Sequence, residues 1–299
     1  MNNRPDNGNK QSQGSGSARL RSVLKWGGSL LLAFGLVFVL RLYALASYQV
    51  STNAMNEALD CGDFILVNKL PLRDNPGRNR AVLFHSPLAK DSLSRPLFLS
   101  RCIGMPGDTI QVDNEGYLIN GKRIPYSPRA LVTYFITSSQ AERLTKVVRR
   151  LNIPVRNWKQ EEFGFSLSLT SFEEYQIREE LDEVGNLSFV RNRITPYQLV
   201  VPRRERHYRL DPIALNACKE AVMAETGGKA RIKEGKLYID GVETMFFYFK
   251  QDYYWVLSDN IDESVDSRHL GFIPRKQVVG NAFFCWFSRN RQHLFKTIK

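Results

Sequence analysis

Residues 254–288 read YWVLSDNIDESVDSRHLGFIPRKQVVGNAFFCWFS. The run that ends at Leu257 is apolar and strand-like, and the stretch VVGNAFFCWF at the far end is apolar again. Between them lies SDNIDESVDSR, residues 258–268, dense in Ser, Asp and Asn. Taken alone, such a stretch is a polar loop closed by Asx and Ser turns. Loops of this kind carry sites when a rigid sheet positions them. Other short runs share the strand character: DFILVNK at 63–69, TIQVD at 109–113, GYLING at 116–121 and KLYIDG at 236–241. Thirteen Pro and twenty Gly punctuate them, so the chain reads as mainly β with few helices.

The chain has 299 residues, 43% of them apolar and 11% aromatic, ample for a packed core. The formal charge of +12 raises nucleic acid as a partner. The Lys and Arg are scattered, however, with no basic stripe interleaved with aromatics, so nucleic-acid binding is not expected.

Residues 1–25 are polar, basic and rich in Gly, Ser and Asn, a composition that stays disordered. WGGSLLLAFGLVFVL then runs uncharged from Trp26 to Leu40, between Lys25 and Arg41. As a helix it spans about 22 Å, and snorkelling of Arg41 with the following LYALA extends it toward a bilayer core. A membrane anchor over 26–46 follows. Arg4, Lys10, Arg19, Arg21 and Lys25 precede it against a single Asp6, which keeps the tail in the cytoplasm and exports residues 47–299. The rival is a cleaved signal peptide, because Ala44, Leu45 and Ala46 form an A-x-A site. The long basic n-region and Arg41 weigh against cleavage.

The cysteines Cys61, Cys102, Cys218 and Cys285 match no zinc spacing and read as buried thiols, with a Cys61–Cys102 bridge left open. No metal or cofactor is expected. GYLINGKRI (116–124) and GKLYIDGVE (235–243) each carry an Asn-Gly or Asp-Gly pair and predict two hairpins with type I′ turns. Helices are expected over 140–151, 171–181 and 211–225, the last with Asp211 as N-cap, Pro212 in the first turn and Gly227 past the end. The stretch 135–193 is the least readable.

Three separated segments carry a resemblance. Residues 47–69, SYQVSTNAMNEALDCGDFILVNK, resemble the PSxSMxPTLxxGDxxLVxK segment of type I signal peptidases. Residues 97–110, LFLSRCIGMPGDTI, resemble their YxKRxxGxPGDxI, and residues 254–288 resemble their GDNRxNSxDSRxWGxVPxxxxxGxxxxxW. Order, spacing and the preceding anchor agree. The resemblance implies a signal-peptidase-type β core at about 47–119 and 251–299, split by a β-rich insert with a few helices at about 120–250.

At two positions the chain departs from that pattern. The family's nucleophilic serine falls on Ala54, and its general-base lysine on Ser100. A serine hydroxyl needs an adjacent base, and a lysine serves as one only when desolvation lowers its pKa. Ala54 has no oxygen, Ser100 is no base, and the guanidinium of Arg101 stays protonated. The rest of the implied site is present: Thr52 as oxyanion donor, with Met55, Arg101, Asp259, Asn260, Ser264, Asp266, Ser267 and Arg268 as scaffold. Ser264 matches the serine that holds the lysine ammonium, and Asp266 with Arg268 match a charge pair. Glu57 and Ser258 replace a usual proline and glycine. Ser51 is a poor substitute nucleophile, since an odd offset from position 54 points it to the opposite face of a strand. His269 stands where an aromatic is usual and reads as a packing residue, while His85, His207 and His293 fall in no motif.

These residues point to an inactive family member on the extracytoplasmic side of a bacterial cytoplasmic membrane. Its expected partners are the lipid membrane, signal peptides or preproteins in extended form, and an active signal peptidase. Two further readings stay open: a peptidase of rearranged chemistry, and a structural envelope protein with a vestigial groove.

Overall fold

The computed structural model describes residues 26–38, 44–56, 58–70, 76–88, 95–113, 116–124, 131–182, 189–191, 195–260 and 264–298. The chain divides into two units, residues 1–46 and 47–299. In the first, a solvent-exposed helix covers residues 26–38. Among the described residues no helix is long and apolar enough to cross a membrane. The basic tail and residues 39–43 of the expected anchor lie outside the described residues, as does Glu57.

The second unit is built on an antiparallel sheet. Its order runs from the strand Leu45–Gln49, whose last three residues fall in this unit, through Phe64–Asn68, Val278–Phe287, Ala81–His85, Leu97–Gly104 and Tyr253–Leu257 to Ile273–Pro274. The strand Val278–Phe287 therefore lies between two strands from the first third of the chain. The order interleaves both ends of the sequence. Alternation sends neighbouring side chains to opposite faces. Ala81, Leu83 and Leu99 join Met55, Ile65 and Val67 in one cluster, while Val82, Phe84 and Cys102 join Tyr254, Val256 and Ile273 in the other. The centre of the sheet is thus buried on both faces.

Gly104 ends the long strand where a Cβ would meet Ile110 Cδ1 at 2.4 Å and Val201 Cγ2 at 2.8 Å, so only glycine lets the next sheet approach. Gly107, at φ +91°, then turns the chain through Met105–Asp108. The next sheet contains Tyr197–Val200, Thr109–Asp113, Gly116–Ile119 and Lys122–Ile124. Its hairpin has Asn120 at φ 52° and Gly121 at φ 77°, the positive pair a type I′ turn demands. Asp240 and Gly241 repeat this at 49° and 84° between Lys236–Ile239 and Val242–Thr244. The first hairpin runs across the expected boundary between core and insert near residue 120.

The helix Pro212–Thr226 begins where Ala214 N donates to Asp211 Oδ1 at 2.8 Å and ends at left-handed Gly227. It packs Leu215, Cys218 and Val222 into a cluster with Tyr253, Trp255 and Phe272. The poorly readable stretch forms a sheet in the order Phe189–Arg191, Val132–Thr137, Gly164–Leu169, Arg156–Glu161. Helices Ser138–Arg150 and Ser171–Asp182 cover it through Leu144, Val148 and Ile177. Its strands are joined by helical or short polar segments, which obscures their alternation in the sequence.

Two expectations are corrected. All four cysteines are free thiols as expected, which rules out the bridge left open between Cys61 and Cys102, but Cys61 is exposed where all four were expected to be buried. His269 is exposed rather than packed, because the short helix Ser267–Leu270 turns Leu270 inward in its place.

Candidate active site

Residues 258–260 draw the three sequence segments together. Leu257 pairs with Arg101 across the antiparallel strands, so the residues after it run alongside the strand that holds Ser100. Ser258 Oγ lies 2.9 Å from Ser100 Oγ, both buried. Asp259 takes two hydrogen bonds from Arg101, Nε to Oδ1 at 2.7 Å and Nη2 to Oδ2 at 2.8 Å. Asn260 reaches the first segment: its backbone N–H donates to Ala54 O at 3.0 Å, and its Nδ2 to Asn53 O at 3.2 Å. Since two residues of extended chain span roughly 7 Å, positions 54 and 100 are bridged by one short stretch.

Ala54 sits in a single 3₁₀ turn, Asn53–Met55, packed against the strand Leu97–Gly104. The turn is held by apolar burial rather than by a cap: Met55 is fully enclosed, and Thr52, at the N-cap position, makes no capping bond. The Thr52 hydroxyl is therefore not consumed by the turn. The residue Thr52 lines a crevice with Tyr48, Val50, Ser51, Leu83, Leu97 and Leu99.

The ion pair of Arg101 and Asp259 leaves each side chain 3% exposed. Desolvating two charges is costly, and the bidentate fork is the geometry that offsets it best. Arg101 Nη1 also donates to Asn79 O at 3.2 Å. Asp266 is fully buried and receives Ser258 N at 3.0 Å and the Arg268 side chain at 2.9 and 2.8 Å. Ser267 Oγ accepts from Val256 N at 2.9 Å. Ser264 Oγ accepts from Arg268 Nη2 at 3.2 Å. The hydroxyl that meets Ser100 is thus that of Ser258, while Ser264 is engaged by Arg268.

Chemically, this arrangement offers hydroxyls, two guanidinium groups and carboxylates already tied to one another. Cys102 is the nearest thiol to Ser100 in sequence, but burial, the main effect, pushes it up to about 12, with Arg78 lowering and Asp108 raising it. A thiol so protonated is a poor nucleophile.

Comparison with known proteins gives one family. The profile described as signal peptidase, peptidase S26, matches residues 23–164 and 243–287. The signal peptidase I of Buchnera aphidicola subsp. Baizongia pistaciae is 26% identical over 279 residues, covering 87% of this chain and 74% of its own. That of Aquifex aeolicus is 25% identical over 263 residues, with 87% and 82% covered. That of Pseudomonas aeruginosa is 21% identical over 290 residues, with 89% and 73% covered.

Proposed function

From the premise that this chain belongs to the signal peptidase (peptidase S26) family, we propose that it is a membrane-anchored type I member that has lost peptide-bond hydrolysis and keeps a groove for signal peptides in extended form. One observation carries the loss: where the family places its base, the buried hydroxyls of Ser100 and Ser258 are hydrogen-bonded at 2.9 Å. Neither can accept a proton from a nucleophile at neutral pH, and Ala54 offers no nucleophile.

The crevice beside Ala54 supports retained binding. Its lining is apolar at Leu83, Leu97 and Leu99 and polar at Ser51 and Thr52. That combination suits the small apolar side chains of an A-x-A segment laid down as an added strand. The anchor over 26–46 rests on the uncharged run from Trp26 to Leu40 and on the basic residues before it, which orient the domain outward. The membrane and an active peptidase within it are the partners this reading names.

The test is incubation of the protein in detergent with a precursor bearing an A-x-A site. Association without release of mature product is expected. Cleavage by the parent chain, free of contaminating peptidase, would overturn the reading.

A further inference from the structure

His293, which belongs to no sequence motif, lies 230 residues from Asp63 and meets it inside the fold. Its Nδ1 stands 3.2 Å from Asp63 Oδ2 and 3.3 Å from Asp60 Oδ2. Side-chain exposures are 5% for His293, 2% for Asp63 and 36% for Asp60. We propose that these three side chains form a divalent-metal site suited to Zn²⁺, fastening the C-terminal segment to the loop that follows the Ala54 turn.

The distances accommodate a cation. The Asp63 contact, at 3.2 Å, lies at the long end of the N–H···O range and the Asp60 contact, at 3.3 Å, just beyond it. Nδ1 carries at most one proton, and one proton cannot serve two carboxylates with good geometry. Tetrahedral ligands bonded to zinc at about 2.0–2.1 Å stand about 3.3 Å from one another. The three candidate atoms all lie within 4.8 Å of one another. Charge points the same way: two carboxylates facing one imidazole remain net negative even when it is protonated, which a largely buried site tolerates poorly. A divalent ion balances them.

The carboxylates are also held as metal ligands usually are. Asp60 N donates to Asp63 Oδ2 at 2.9 Å, and Asn290 Nδ2 donates to Asp60 Oδ2 at 2.9 Å, each leaving a second lone pair. Asn290 is itself fixed, receiving Gln292 N on Oδ1 and giving its own N–H to Ser288 Oγ. The partly exposed Asp60 leaves a solvent-facing position for water as a fourth ligand. Val50 N donates to Asp63 O and Gly62 N to Val50 O, both at 2.8 Å, so the loop that would bind metal also grips the chain entering the Thr52–Met55 turn. The proposal is independent of whether position 54 ever supports catalysis.

Untagged full-length protein in detergent, stripped with chelator, is titrated with Zn²⁺ by calorimetry and melted with and without the ion. One Zn²⁺ per chain and a raised melting temperature are expected. Asp60→Asn and His293→Gln should each weaken binding by at least about 100-fold, the upper end of losses seen for outer-shell changes. Cys61→Ser should leave it intact, and Mg²⁺ and Ca²⁺ should bind far more weakly at a site with an imidazole ligand. If His293→Gln fails to fold, the partly exposed Asp60→Asn decides alone. Absence of saturable Zn²⁺ binding, its survival in Asp60→Asn, or its loss in Cys61→Ser overturns the proposal.

Discussion

Two cross-strand contacts sit side by side on the same pair of chain segments: Ser100 with Ser258, and Arg101 with Asp259. All four side chains are buried. The first contact is neutral and the second is a bidentate ion pair. The energetics of giving them up differ accordingly. A hydroxyl pair can be exchanged as a unit at little cost, since removing both partners strands no polar group. An ion pair cannot be dismantled one residue at a time, because the survivor is an uncompensated buried charge. A fold can therefore exchange the group at position 100 and still retain the scaffold beside it.

The largest effect should come from converting the neutral contact into a catalytic one. Ala54→Ser, Ser100→Lys and Ser258→Gly together place a nucleophile and a base at these positions, and remove the hydroxyl that now occupies Ser100. Cleavage of an A-x-A precursor should then rise by on the order of 10⁶ over the parent, with each single variant silent. A triple variant that folds and binds the precursor yet stays inert would break the equivalence drawn between positions 54 and 100 and the family's dyad.

On the charged side, Asp259→Ala should cost about 3–5 kcal/mol by stranding Arg101. Denaturant unfolding measures it, and a loss below about 1 kcal/mol would mean that water reaches the guanidinium. Replacing both residues together by Met and Leu should cost far less than either single change.

A weaker charged contact lies at the end of the same strand. Burial alone would push the Asp108 carboxyl up, but hydrogen bonds from Arg78 at 2.8 Å, Met105 N at 2.7 Å and Asn120 at 2.7 Å, with the Arg78 charge, hold it below the usual range. A carboxyl lowered on folding contributes stability above its unfolded pKa and loses it as pH falls through the folded value. Asp108→Asn should thus cost about 2 kcal/mol near neutrality, and the gap to the parent should close below about pH 4. A gap that persists unchanged at pH 2 would show that packing, not charge, holds the turn.

The smallest effect belongs to the hydroxyls. Ser100→Ala should cost about 1 kcal/mol, and adding Ser258→Ala should cost almost nothing more. Equal and additive losses would show that the two hydroxyls do not depend on each other.

The local elements were legible because their causes are local. Asn120-Gly121 and Asp240-Gly241 supply the two positive φ angles a type I′ turn needs. Asp211, Pro212 and Gly227 mark both ends of a helix through a side-chain acceptor, a fixed φ and a left-handed cap. The gathering of Ala54, Ser100, Arg101, Asp259 and Asp266 was legible only through the resemblance, which carries tertiary information that no single window holds. His269 was misjudged because a four-residue helix sets which side chain turns inward. The contact of Ser258 with Ser100 was not legible in the sequence because its partner lies 158 residues away.

By itself the sequence determined the β-rich class and the turns and caps. Those follow from backbone preferences and side-chain chemistry, which each residue carries with it. Only the tertiary structure decided that Ser258 meets Ser100, that Asp266 gathers Ser258 and Arg268, and that His293 lies against Asp60 and Asp63. Such contacts depend on strand order, and placing Val278–Phe287 between Phe64–Asn68 and Ala81–His85 is a choice made by burial over the whole sheet, which no short stretch of chain encodes.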